Sequence, residues 1–202
     1  MMQIEIKEWA HFRNKPVKTF RIFDASNQFQ ITLTNLGASI LRVQTPDRNE
    51  ISADIHYGRS TPEEFENADG AYLGTTVGRT LSAIFFANFV LGDQQFHLSK
   101  NLLKTHHMHG GIEGFDKKVW EIRKAEIKNE IAIIEFNYIS PAGEEGYPGN
   151  LDIAVIYSIK ANSGNIAFKA TTDAPTIINM TNHGYWNLEA LRRGISIIEQ
   201  DI

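Results

Sequence analysis

Two histidines sit in settings suited to polar chemistry rather than packing. His109 precedes Gly110 and Gly111 in the stretch HHMHGGIEGFDKKVW. His183 follows Thr181 and Asn182 and precedes Gly184, Tyr185 and Trp186 in NMTNHGYWNL. Consecutive glycines allow positive φ and a close approach of ligand to backbone. An imidazole titrates near neutral pH, so one ring can move a proton while the other hydrogen-bonds a ligand oxygen. Aromatic faces and amides beside them suit a ligand with both apolar C–H patches and hydroxyls, as a sugar ring has.

Other candidates are weaker. His107 and His109 lie two apart and would share one face of a strand, as zinc ligands sometimes do. No carboxylate or third histidine follows at a recognisable spacing, so neither metal nor cofactor is expected. The glycine pair lacks the Lys-Ser/Thr of a phosphate cradle. Arg79, after Val77 and Gly78, reads either as a cleft cation or as an ordinary surface arginine. Glu144 and Glu145 in SPAGEEGYPGN either reach a cleft or are solvated loop acids. His11, His56, His97, His106 and His107 read as structural.

The elements that must position these residues read as short strands. Phe20, Ile22 and Phe23, then Phe29, Ile31 and Leu33, recur with the period of a half-buried strand. Asp-Ala-Ser-Asn, Asp47-Arg48-Asn49, Gly92-Asp93 and Asn129 mark turns. Asn35-Leu36-Gly37-Ala38 fits a bend where chains pack closely. Residues 71–98 read as further strands, and Thr61-Pro62-Glu63-Glu64-Phe65 as one helical turn. LDIAVIYSIKA alternates clearly. With no repeat, linker or low-complexity stretch, residues 1–202 read as a single all-β domain.

The chain has 202 residues, 42% hydrophobic and 22% charged, with a net charge of −4 and no cysteine. Disulfides and thiolate zinc sites are excluded. Nothing in the charge distribution favours nucleic acid or an anionic membrane. No apolar run nears the roughly 20 residues that span a bilayer, and the N-terminus does not read as a signal peptide. A cytoplasmic protein is the expectation.

Taken together, MHGGIEGFDKKVWE, NMTNHGYWNL, VGRT and SPAGEEGYPGNL resemble the aldose 1-epimerase (galactose mutarotase) family, in its N-terminal part. The likeness runs from GASILRVQTPDRN to NHGYWNL. It implies a large antiparallel β-sandwich with a sugar cleft, and interconversion of α and β aldohexose anomers. That reaction takes a proton from the C1 hydroxyl and delivers one to the ring oxygen. The resemblance implies His183 as the acid, His109 as its hydrogen-bonding neighbour, and Arg79, Asn182 and Tyr185 as substrate-binding residues.

Two departures bear on activity. The family's Asn-Arg pair after Gly-Arg falls on Ser82 and Ala83. Losing that guanidinium removes a charged hydrogen bond of about 1.5–3 kcal/mol. The family's base is a glutamate beyond the last residue of this chain, which ends at GISIIEQDI in what reads as an opening strand. The expectation is a C-terminally truncated sandwich, weak or inactive as an epimerase, with exposed strand edges covered by a homo-oligomer. A non-catalytic carbohydrate-binding protein and a self-associating fragment are the alternatives.

Overall fold

The computed structural model describes residues 1–25, 28–67 and 70–188. Five strands open the chain: β1 (Gln3–Phe12), β2 (Lys15–Phe23), β3 (Gln30–Thr34), β4 (Ser39–Pro46) and β5 (Ser52–Asp54). They pair in sequence order, each antiparallel to the next. The helical turn α1 (Glu63–Glu66) follows, with Pro62 ahead of it and Phe65 turned inward. Short pieces come next: β6 (Thr76–Val77), β7 (Ala83–Ile84), β8 (Asn88–Leu91), β9 (Gln94–His97) and β10 (His107–Met108). The second large sheet is the meander β11 (Glu121–Lys128), β12 (Ile131–Ser140), β13 (Leu151–Lys160) and β14 (Ser163–Thr172). The last described strand is β15 (Thr181–Asn182).

The two large sheets face each other across one core. Strand β13 buries Leu151, Ile153, Val155, Tyr157 and Ile159, every second residue, while the residues between stay half-buried. Opposite them lie Phe20, Ile22, Ile31, Leu33, Ile40 and Val43 of the first sheet. The Phe20 and Phe136 rings meet edge to face across the gap, 5.3 Å between centroids. Each such side chain, withdrawn from water, contributes about 1.5–3 kcal/mol. This is the antiparallel sandwich that alternation predicts. Phe23 departs from the pattern: it is half-buried, with the Arg21 guanidinium over its ring.

Turn chemistry follows the sequence closely. Asp47 Oδ1 accepts the Asn49 and Ile51 amides and closes β4 onto β5. Asn129 and Glu130, both at positive φ, make the two-residue turn between β11 and β12. At Gly37 a Cβ would stand 2.6 Å from the Asp116 carbonyl, and φ is +64°, so the bend before β4 requires glycine.

Residues 71–98 differ from the expectation of continuous strands. Strands β8 and β9 form the hairpin expected across Gly92-Asp93. Tyr72, Gly74, Ser82, Phe86 and Ala87, however, all take positive φ, which breaks the pleat and leaves only the two-residue strands β6 and β7 before residue 88. These irregular segments carry the candidate site. The GISIIEQDI ending lies outside the described residues. Among the described residues, no helix is long and apolar enough to cross a membrane.

Candidate functional site

The sequence motifs around His109 divide into core anchors and a polar turn. Phe115 and Trp120 are buried in the main core, their rings 5.7 Å apart and edge to face. The Trp120 indole N–H donates to the Phe115 carbonyl. Between these anchors and β10 the chain makes the tight turn His109–Glu113. Asn101 holds its start: the Met108 amide donates to Asn101 Oδ1, and Asn101 Nδ2 donates to the Met108 and Gly111 carbonyls. Gly110, at φ +89°, lies so close to Gly78 that a Cβ would overlap the Gly78 carbonyl.

Strands β6 and β7 bring the two histidines together. Asn182 pairs with Thr76 in the β15–β6 ribbon, which leads directly to His183. Met108 pairs with Ala83 in the β10–β7 ribbon, which leads directly to His109. The His183 amide donates to the Thr75 carbonyl, and the Gly74 amide donates to the His183 carbonyl. The two imidazoles thereby stand 5.3 Å apart, centroid to centroid, at 71°. Both are half-buried.

The two rings are not equivalent. The Ser82 backbone N–H donates to His109 Nδ1 at 3.1 Å. An acceptor Nδ1 places the ring proton on Nε2, so His109 is a neutral imidazole offering one N–H donor. Burial, and then the neighbouring His183, hold its pKa below the ordinary histidine value. This contact uses the backbone of residue 82 and is therefore independent of which side chain stands there.

Tyr72 is the site residue that sequence reading missed. Its ring meets His109 edge to face at 4.8 Å and lies nearly parallel to His183 at 6.0 Å. It is only 9% exposed, and burial pushes its phenol up to about 12. The Thr75 amide and hydroxyl both donate to the Tyr72 carbonyl. The available signal was an aromatic residue between Gly70 and Gly74 in a segment with no alternation. Tyr185 stacks on His183 at 5.1 Å, and Trp186 beside it is 49% exposed.

Two residues expected to bind substrate are engaged inside the protein. Arg79 is 1% exposed, against the expectation of a cleft or surface cation. Its guanidinium donates to Ser140 Oγ, to the Ser140, Pro141 and Pro148 carbonyls, and to Thr176 Oγ1. Asn182 Nδ2 donates to the Gly74 carbonyl at 2.8 Å and to the Tyr157 hydroxyl at 3.3 Å. Its amide N–H groups tie the histidine segment to the sheet and leave no free donor for a ligand.

The loop acids are not solvated either. Glu144 accepts from the Tyr138 hydroxyl at 2.6 Å and from Ser140 Oγ, and pairs with Lys118 at 2.8 Å. Glu145 accepts from Ser99 Oγ and from the Ile112 and Glu113 amides. His107 is fully buried, with Nδ1 on the Ser99 carbonyl and Nε2 on the Tyr147 hydroxyl, so neither nitrogen is open to a metal. His56 is buried edge-on against Trp186, and among the described residues neither of its ring nitrogens makes a hydrogen bond. Among the described residues, no carboxylate is bound to either His109 or His183.

Comparison with known proteins bears on the fold and the family. The aldose 1-epimerase family model matches residues 21–201. The galactose mutarotase of Mus musculus is 32% identical over 163 residues, covering 81% of this chain and 46% of its own. The aldose 1-epimerase of Haemophilus influenzae is 38% identical over 133 residues, 65% of this chain and 37% of its own. Among solved structures, galactose 1-epimerase from Lactobacillus acidophilus superposes with a TM-score of 0.81 at 24% identity, covering 93% of this chain and 54% of that one. An aldose epimerase homologue from C. elegans gives 0.73 at 28% identity, covering 93% and 52%. This chain thus spans about half the length of the relatives it matches. A sandwich of this topology, with paired histidines over a polar turn and a family match across nearly all its length, places the chain in the aldose 1-epimerase family.

Proposed function

We propose that the His109–His183 pair is an aldose site and that the chain interconverts the α and β anomers of an aldohexose. The observation that carries this reading is the asymmetry of the pair: His109 is a fixed neutral donor, and among the described residues no hydrogen bond locks the His183 ring beside it. His109 Nε2–H donates to a sugar oxygen, and Tyr185 and Trp186 offer aromatic faces to the C–H patches of the ring. His183 gives a proton to the ring oxygen as the C1–O5 bond breaks, and recovers it when the ring closes on the other face.

The proton leaving the C1 hydroxyl has no carboxylate acceptor among the described residues. Glu144 and Glu145 are already occupied, so this proton passes to solvent and the rate through this chain alone is low. Ala83, where the family resemblance implies an arginine, offers a ligand no donor, which supports weak affinity as well. The neutral ligand, the absence of cysteine and the net charge of −4 support a cytoplasmic protein of sugar metabolism without nucleic-acid or membrane partners. Among the described residues β14 is an outer strand of its sheet, which supports self-association through strand pairing.

The test is polarimetry of fresh α-D-galactose with and without the chain. A saturable acceleration that disappears in His183→Ala supports the proposal. Acceleration unchanged by that substitution, or none from folded protein, overturns it.

A further inference from the structure

Glu145 is one of the two loop acids that the sequence offers to a cleft, yet its surroundings give it another task. The loop after β12 turns through Gly143, Glu144 and Glu145, the last at φ +52° and ψ +12°. In that conformation the side chain reaches the turn that follows His109. Glu145 Oε1 accepts the Glu113 amide at 2.8 Å, and Oε2 accepts the Ile112 amide at 3.0 Å and the Ser99 hydroxyl. The fit is tight enough that a Cβ on Gly111 would overlap the carboxylate. The second glycine of the His-Gly-Gly motif is thus required by Glu145 as well as by its own φ of +105°.

The loop bearing Glu145 is itself fixed from beneath. Arg79 gathers the Ser140, Pro141 and Pro148 carbonyls, which bracket the loop on both sides. The Ser99 amide donates to the Glu145 carbonyl, so backbone and side chain of residue 145 are both held. At the other end of the turn, the His109 amide donates to the Ser82 carbonyl while the Ser82 amide donates to His109 Nδ1. A shift of the 110–113 turn therefore moves the imidazole off the Ser82 amide that fixes its Nδ1.

We propose that Glu145 is a positioning residue for His109: its carboxylate locks the Ile112–Glu113 backbone and so keeps Nδ1 on the Ser82 amide and Nε2–H aimed at the ligand. This rests on the reading of His109 as a sugar-binding donor. The structural part of the claim stands without sugar and is tested without it. Charge-assisted bonds from backbone N–H groups to a carboxylate are roughly twice as strong as neutral ones. A glutamine here keeps the volume but turns an N–H₂ group toward donors.

The experiment compares the full chain with Glu145→Gln and Ser99→Ala by ¹⁵N NMR of the histidine rings, amide exchange and galactose titration. In Glu145→Gln the Ile112 and Glu113 amides exchange faster, and His109 Nδ1 loses its acceptor signature as the ring averages between tautomers. Its pKa rises toward the ordinary value, and galactose binding weakens on the order of tenfold, equivalent to about 1.4 kcal/mol. Ser99→Ala, which removes one donor and leaves both backbone bonds, shifts the same signals less; this keeps the test open should Glu145→Gln fail to fold. An unchanged His109 tautomer and pKa in folded Glu145→Gln overturn the proposal. So does abolished anomerisation with His109 and galactose affinity intact, which would make Glu145 the base. Normal tautomer changes with no galactose response in the parent chain would leave the positioning role standing and reject the sugar reading instead.

Discussion

Replacing Arg79 separates two readings that the sequence leaves open. If it faced substrate, Arg79→Ala would lower sugar affinity and barely touch stability. The structure places it 1% exposed, with hydrogen bonds to three backbone carbonyls and two hydroxyls. Truncation leaves those carbonyls buried without donors, at about 1–3 kcal/mol for each that water cannot reach. Breaking a buried charged arrangement of this kind costs about 3–5 kcal/mol. Against a typical total of about 5–15 kcal/mol, that is a large fraction. Arg79→Lys recovers little, since one ammonium cannot span acceptors that a planar fork reaches together. Urea unfolding followed by tryptophan fluorescence, to which buried Trp120 contributes, reads the effect directly. The midpoint should fall steeply in both variants with the slope unchanged. Losses under about 1 kcal/mol, with sugar affinity reduced, would refute the structural role and return Arg79 to the cleft.

Acid stability reports on His56. Burial holds it at about 4, below its ordinary 6.5, so the native state keeps it neutral while the unfolded chain binds a proton. Its contribution is fully present above about pH 6.5 and is lost as pH falls toward 4, about 3 kcal/mol in all. Asp116 works in the opposite direction, because burial raises it to about 6 and the native state binds its proton first. The informative quantity is therefore the difference between parent and His56→Leu across that window, and superimposable pH curves would contradict the assignment. Self-association through the outer edge of β14 should appear as a dimer or larger in light scattering and be reduced by Ala170→Pro, which removes an N–H that faces away from β13. A monomer at every concentration rejects it.

Much of the scaffold was legible because strand alternation and turn chemistry are local. Leu151 to Ile159 announce their buried face by spacing alone, and Asp47 and Asn129 act on residues within reach of their own backbone. The histidine pair was legible as residue types in unusual company. What spacing could not reveal was direction. Arg79 and Asn182 look like ligand-binding groups in a motif, yet their partners, Pro148 and Gly74, lie 69 and 108 residues away. Glu144 and Glu145 look solvated in a Gly-Pro loop, and only the fold shows the donors that converge on them. Tyr72 was hidden for a related reason: its ring belongs to the site through contacts with His109 and His183, far along the chain. Residues 71–87 misled because positive φ at Tyr72, Ser82, Phe86 and Ala87 carries no glycine to signal it.

The measurement closest to the central claim is the initial anomerisation rate of freshly dissolved α-D-galactose, read by polarimetry for the parent chain, His183→Ala and His109→Gln. The account predicts a small catalysed increment in the parent, proportional to protein and saturable in sugar. His183→Ala abolishes it, while His109→Gln mainly raises the half-saturating galactose concentration. A folded parent with no increment at any sugar concentration, or an increment that survives His183→Ala, would contradict it.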